Sequence, residues 1–142
     1  MTLVLTGQLC SGKNAIQTTR TGHRYPGARF KAWREEACAQ LLPQVIRRQT
    51  PTPGMPVTLT VTYWPGDVRV RDVSGMLDAL MSLLVYVGVL QDDGLIWDVV
   101  WKRQGVNRKF PKVLMEVTEW QGDVSDTGRR SHLEEAGMKE RA

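Results

Sequence analysis

Residues 57–64 read VTLTVTYW, and residues 71–88 read RDVSGMLDALMSLLVYVG. In the first stretch Val57, Leu59, Val61 and Tyr63 alternate with Thr58, Thr60, Thr62 and Trp64, the two-residue period of a half-buried strand. In the second, Val73, Met76, Leu77, Leu80, Leu84 and Val87 recur at helical spacing, which predicts a helix over about 72–87. Asp72 is suited to cap its start and Gly88 to end it. The opposite face of that helix carries Ser74, Asp78 and Ser82, stacked one turn apart. A switch from period two to period 3.6 across Pro65-Gly66 means a strand feeding a helix, so the fold mixes α and β from its middle outward.

Upstream, Met1–Thr6 is Leu- and Val-rich and ends at Gly7, a short strand. Residues 7–28 form an irregular basic loop with room for a small hairpin. Phe30, Trp33, Ala37, Leu41 and Val45 then mark an amphipathic helix over about 26–49, bent or shortened by Pro43. Gln49–Pro56, with three prolines and a glycine, is a surface connection. Downstream, Asp92-Asp93-Gly94 is a tight turn into an apolar strand, Leu95–Trp101, with Trp97 and Trp101 expected on one face. Lys102–Arg108 reads as a basic turn, and Val113, Met115 and Val117 alternate along a last strand ending near Trp120. The order β–α–β–α–β–β predicts a single α+β domain over residues 1–120, with two main helices packed on a small mixed sheet. Residues 121–142 lack periodicity and mix charges, the pattern of a flexible tail.

The chain has 142 residues, 42% hydrophobic and 24% charged, the composition of one soluble globular domain. No apolar run approaches the roughly 20 residues of a membrane helix, and no signal-peptide pattern opens the chain. Cys10 and Cys38 are too few for a disulfide scaffold or a zinc site, so a reduced, cytoplasmic protein is the expectation. The formal charge is +4, and its placement is uneven. Residues 1–48 hold eight bases against Glu35 and Glu36, a net of +6. A basic third of that kind suits a polyanion, because each phosphate neutralised releases counterion.

Two constellations offer chemistry. Gly7-Gln8-Leu9-Cys10-Ser11-Gly12-Lys13-Asn14 nearly spells a phosphate-binding P-loop, but Asn14 stands where the motif needs a magnesium-binding hydroxyl. No nucleotide cofactor is expected. The second constellation is acidic: Asp72, Asp78, Asp92 and Asp93, with Asp67 and Asp98 nearby. Taken singly, these have ordinary roles as a helix cap, a solvated helix residue and a turn. Taken together and flanked by Arg69, Arg71, Lys102 and Arg103, they suit a hard cation held beside a phosphodiester. His23 and His132 read as loop and tail residues, Cys10 and Cys38 as packing residues, and Trp33 as core.

Arg71-Asp72-Val73-Ser74-Gly75-Met76-Leu77-Asp78-Ala79-Leu80, followed by Gly88-Val89-Leu90-Gln91-Asp92-Asp93, resembles the signature of RusA-type Holliday junction resolvases. That family shows Arg-Asp-x-Asp-Asn-x-x-Lys-x-x-x-Asp-Ala-Leu and then Ala-Gly-x-x-x-Asp-Asp. Ser11-Gly12-Lys13-Asn14 is similar to the family's early Ser-x-x-Asn loop, and Phe30-x-x-Trp33-Arg34 to the start of its first helix. The resemblance spans about residues 1–120.

It implies a homodimeric, Mg²⁺-dependent endodeoxyribonuclease, with Mn²⁺ a substitute, that nicks four-way DNA junctions in recombination and repair. Asp72 and Asp93 fall on the first and last catalytic aspartates, with Asp92 beside the latter. The second family aspartate falls on Ser74, and the family lysine on Asp78. Ser74 and Asp78 lie one helical turn apart, so Asp78 is the expected substitute carboxylate. The expected metal ligands are then Asp72, Asp78, Asp92 and Asp93, with Asp72, Asp78 and Asp93 catalytic. Lys13, Asn14, Arg20, Arg69, Arg71, Lys102 and Arg103 are the expected contacts to DNA phosphates. The alternative is a degenerate member that binds DNA without cutting it.

Overall fold

The computed structural model of the chain describes residues 1–11, 16–18, 20–47 and 54–122. It is an α+β fold. Its strands are β1 (Thr2–Thr6), β2 (Ile16–Thr18), β3 (Arg24–Pro26), β4 (Val57–Trp64), β5 (Ile96–Arg103) and β6 (Lys112–Glu119), and its helices are α1 (Ala28–Arg47) and α2 (Val73–Tyr86). A four-stranded mixed sheet runs β1-β6-β4-β5, while β2 and β3 form a separate antiparallel hairpin inside the basic loop. Residues 123–142 of the expected tail, along with Lys13 and Asn14, lie outside the described residues.

Strand β4 sits between β6, which is antiparallel to it, and β5, which is parallel. Val57, Leu59 and Val61 are fully buried, and Tyr63 nearly so. Val113, Met115 and Val117 of β6 and Leu3 and Leu5 of β1 continue the same apolar layer. Phe30, Ala37 and Leu41 of α1 and Met76, Ala79, Leu80, Leu83 and Leu84 of α2 are the buried positions of the helices. Val73, expected in the core, is exposed at the first position of α2. The helix closes where Gly88 takes φ +86°, a conformation that glycine adopts without a Cβ penalty.

Pro43 lies inside α1, yet the helix continues to Arg47. The residues around it hold the free edge of β1. Gln44 accepts from the Val4 amide (2.8 Å) and donates to the Val4 carbonyl (2.8 Å). One turn earlier, Gln40 accepts from the Thr6 amide (2.8 Å) and donates to the Thr6 carbonyl (3.2 Å). Two side-chain amides thus satisfy the outer edge of β1 as a neighbouring strand would, which closes that edge to further pairing.

Strand β5 is less regular than its sequence suggests. Its register against β4 shifts between Val57 and Thr58, so Ile96 faces Val57, Asp98 faces Thr58, and Trp97 has no opposite residue. This bulge overturns the expectation that Trp97 and Trp101 share a face. The Trp97 ring meets Trp120, with centroids 4.9 Å apart, whereas Trp101 meets Tyr63 at 5.6 Å. Lys102 and Arg103, expected in a turn, are the last residues of the strand.

Replacing Gln44 with leucine keeps the volume but strands the Val4 amide and carbonyl. Gln44→Leu should lower unfolding stability by about 1–3 kcal/mol in a urea titration. An unchanged midpoint would show that the glutamine does not hold the edge.

Candidate nucleic-acid interface

Residues 65–71 carry the chain from β4 into α2 and are shaped by one carboxylate. Asp67 accepts two hydrogen bonds from the Arg71 guanidinium, at 2.7 and 3.0 Å, and a third from the Arg69 amide at 3.0 Å. A fork of two parallel bonds is the strongest geometry for a guanidinium and a carboxylate. The Arg71 hydrogen bonds, followed by the Arg69 amide, lower the Asp67 carboxyl from 3.8 to about 2. Arg71 thus has its charge partly answered within the chain, an i to i+4 partner that the sequence contains and our reading of it passed over.

Arg69, Arg71 and Arg103 line one open cleft of about 310 Å³, together with Tyr63, Trp101, Val73 and Met76. Tyr63 accepts a hydrogen bond from the Gln8 amide at 2.6 Å, which ties the floor of this cleft to the loop after β1. Lys102 projects from the opposite side of β5, level with Thr62. The stretch 99–115 holds Lys102, Arg103, Arg108, Lys109 and Lys112 and no acid. Arg20 is exposed at the turn between β2 and β3. The expected phosphate contacts are therefore divided: three arginines share a cleft, and Lys102 and Arg20 lie apart from it.

The acids are divided as well. Asp72 sits at the N-cap position of α2 but makes no side-chain capping bond to that helix. Instead its two carboxylate oxygens share the single proton of the Ser74 hydroxyl, each 3.1 Å from that oxygen. Asp78 is exposed on α2 a turn beyond Ser74. Asp92 and Asp93 come after the other end of the helix and line a second cleft, of about 270 Å³, with Ser82, Val85 and Tyr86. Asp92 accepts from the Gly94 amide at 2.9 Å, capping the turn Asp93–Leu95, so the expected turn role is real. A Cβ on Gly94 would stand 2.6 Å from the Asp92 carboxylate, so a larger residue here would require that side chain to shift.

The 14 residues of α2 rise about 21 Å. Asp72 precedes that rise, and Asp92 and Asp93 follow it. Among the described residues no three Asp, Glu, His or Cys side chains stand close enough to hold one metal ion. Asp72 lies at one end of α2 and Asp92 and Asp93 at the other, so the four expected ligands form no three-carboxylate group among the described residues. Arg34, by contrast, has a clear structural role: its guanidinium carbon lies 4.7 Å from the Tyr86 ring centroid and 5.9 Å from that of Phe30, bridging α1 to α2.

Searches against protein-family models and against curated proteins match nothing. No helix among the described residues is long and apolar enough to cross a membrane.

The Asp67–Arg71 pair is testable by pH. Because the folded carboxyl lies below its ordinary value, the pairing is complete above about 3.8 and is lost as pH falls through about 2. A carboxyl-carbon NMR titration should place the Asp67 midpoint near 2, and Arg71→Ala should move it back towards 3.8. A midpoint that ignores the substitution would mean the two side chains do not pair in solution.

Proposed function

We propose that this protein is a structure-selective endodeoxyribonuclease that acts on four-way DNA junctions as a homodimer. The observation that carries the reading is the juxtaposition at the start of α2. The arginine cleft adjoins Asp72, the position that the resemblance to RusA-type resolvases makes catalytic, and Asp72 is not used to cap its helix. Arginines that meet phosphates fix a duplex arm without reading its sequence, which suits recognition by shape. Mg²⁺, or Mn²⁺ in its place, is the cofactor the resemblance implies.

Among the described residues of one protomer no three donors converge for that cation, and this is where the homodimer enters. A two-fold axis perpendicular to α2 sets two copies of the helix antiparallel, so the Asp72 end of one points the same way as the Asp93 end of the other. Acids divided between the two ends of one helix then fall together in pairs. A second reading, a junction-binding protein that does not cut, has its own support. Ser74 stands in place of a carboxylate, and Asp92 is engaged with the Gly94 amide.

Cleavage of a labelled four-way junction against a matching duplex, in Mg²⁺ and in EDTA, separates the two. The nuclease reading expects paired nicks in the junction alone and only with metal. Binding in EDTA with no cleavage in Mg²⁺ or Mn²⁺ establishes the second reading. If the acids are shared, Asp72→Asn and Asp93→Asn should each be inactive alone, while mixed dimers should regain single nicks from their one intact site. Binding should also weaken with ionic strength, and Arg69→Ala or Arg103→Ala should each flatten the slope of log K against log salt by about one unit.

A further inference from the structure

The two edges of the main sheet are treated in opposite ways. The β1 edge is closed by Gln40 and Gln44. At the other end of the sheet β5 is terminal, and among the described residues no strand lies against its outer edge. It is eight residues long and apolar at its centre, with Val99 37% and Val100 39% exposed. Long apolar edges are usually blunted by charge, proline or a cover, as the opposite edge of this sheet is.

We propose that the β5 edge is the interface between two copies of this chain, paired antiparallel about a two-fold axis through Val100. The inference deepens the homodimer of the proposed function, which it takes as given, by naming the surface. Its argument is self-complementarity. Register against β4 sets Val99 and Trp101 on the helix-covered side, level with Leu59 and Val61, and Asp98, Val100 and Lys102 on the bare side, level with Thr58, Thr60 and Thr62.

In an antiparallel pair, opposed residues must point their amides the same way relative to the shared edge. A two-fold axis perpendicular to the sheet therefore passes through a residue and not between two. An axis at Val100 opposes Asp98 with Lys102 of the second copy, twice. On the other side it opposes Val99 with Trp101 of the second copy, also twice. An axis at Val99 would put Asp98 against Val100, and one at Trp101 would put it against Gln104. Only the Val100 axis pairs both charges, and among the described residues neither Asp98 nor Lys102 forms an ion pair within its own chain. The same axis sets the two α2 helices antiparallel on one side of a continuous eight-stranded sheet, the arrangement that the divided acids require.

The test is a charge swap on the full-length protein, read as mass and dissociation constant by sedimentation equilibrium. The unsubstituted chain should have twice the 16.0 kDa protomer mass. Asp98→Lys and Lys102→Asp should each weaken the dimer by about tenfold or more, since each places two like-charge pairs across the axis. The double variant should recover most of that loss, a rescue that misfolding would not give. Val100→Cys should form a disulfide-linked dimer under mild oxidation, and Thr118→Cys, away from the axis, should not. A dimer whose constant ignores all three charge variants would overturn the β5 interface while leaving a homodimer in place. A monomer would overturn both. A monomer whose outer β5 amides resist hydrogen exchange would assign the edge to residues 123–142 of the same chain.

Discussion

Parallel pairing between β4 and β5 is the constraint from which the rest of this molecule follows. Two parallel neighbours cannot be joined by a hairpin; the chain must travel back along the sheet before the second strand begins. Here the return is α2, and its buried face of Met76, Ala79, Leu80, Leu83 and Leu84 covers the apolar side of β4. The length of that return fixes where the acids go. Asp72 enters the helix beside the arginine cleft, and Asp92 and Asp93 leave it at the far end. The separation of the carboxylates is thus a consequence of topology, not of loop conformation, and no rotamer change in one protomer can remove it.

Strands and helices were legible because their patterns are local. The alternation of Val57 to Trp64 and the helical recurrence from Met76 to Leu84 each name a buried face without reference to the rest of the chain. Strand order was not legible in that way. Nothing in residues 96–103 says that they lie parallel to β4, nor that Trp97 is a bulge that turns away from Trp101. A bulge is set by how two strands meet, so a period-two reading of one strand alone assigns the wrong face to everything before it. Gln40 and Gln44 were invisible for a related reason. On a helical wheel they are ordinary polar residues, and they become edge caps only because α1 runs beside β1.

The candidate site divides along the same line. The turn at Asp92-Asp93-Gly94 was readable, because an aspartate accepting from an amide two residues on is a local bond. Substitution of Asp78 for Ser74 was argued from spacing along one helix, and spacing does fix that both lie on α2. It says nothing of a third ligand, whose direction is set by tertiary structure. Asp67 and Arg71 show the converse case: their spacing was available, and the bidentate pair it permits decides how much of Arg71 is left for a phosphate.

Ser74 is where the differences from the RusA-type signature that the chain resembles gain physical meaning. Two aspartates separated by one residue at a helix start would repel one another unless a cation lay between them, so such a pair depends on its metal. A serine there reverses the relation, since its hydroxyl shares its one proton between the two oxygens of Asp72. The protomer is thereby relieved of the repulsion between two such aspartates, and the acids at the two ends of α2 are exposed. In the proposed homodimer, further carboxylates would come from the second copy. One edge of the sheet is closed by glutamines, and the other, β5, carries Asp98 and Lys102 equally spaced about Val100, which is why the proposed second copy is placed there.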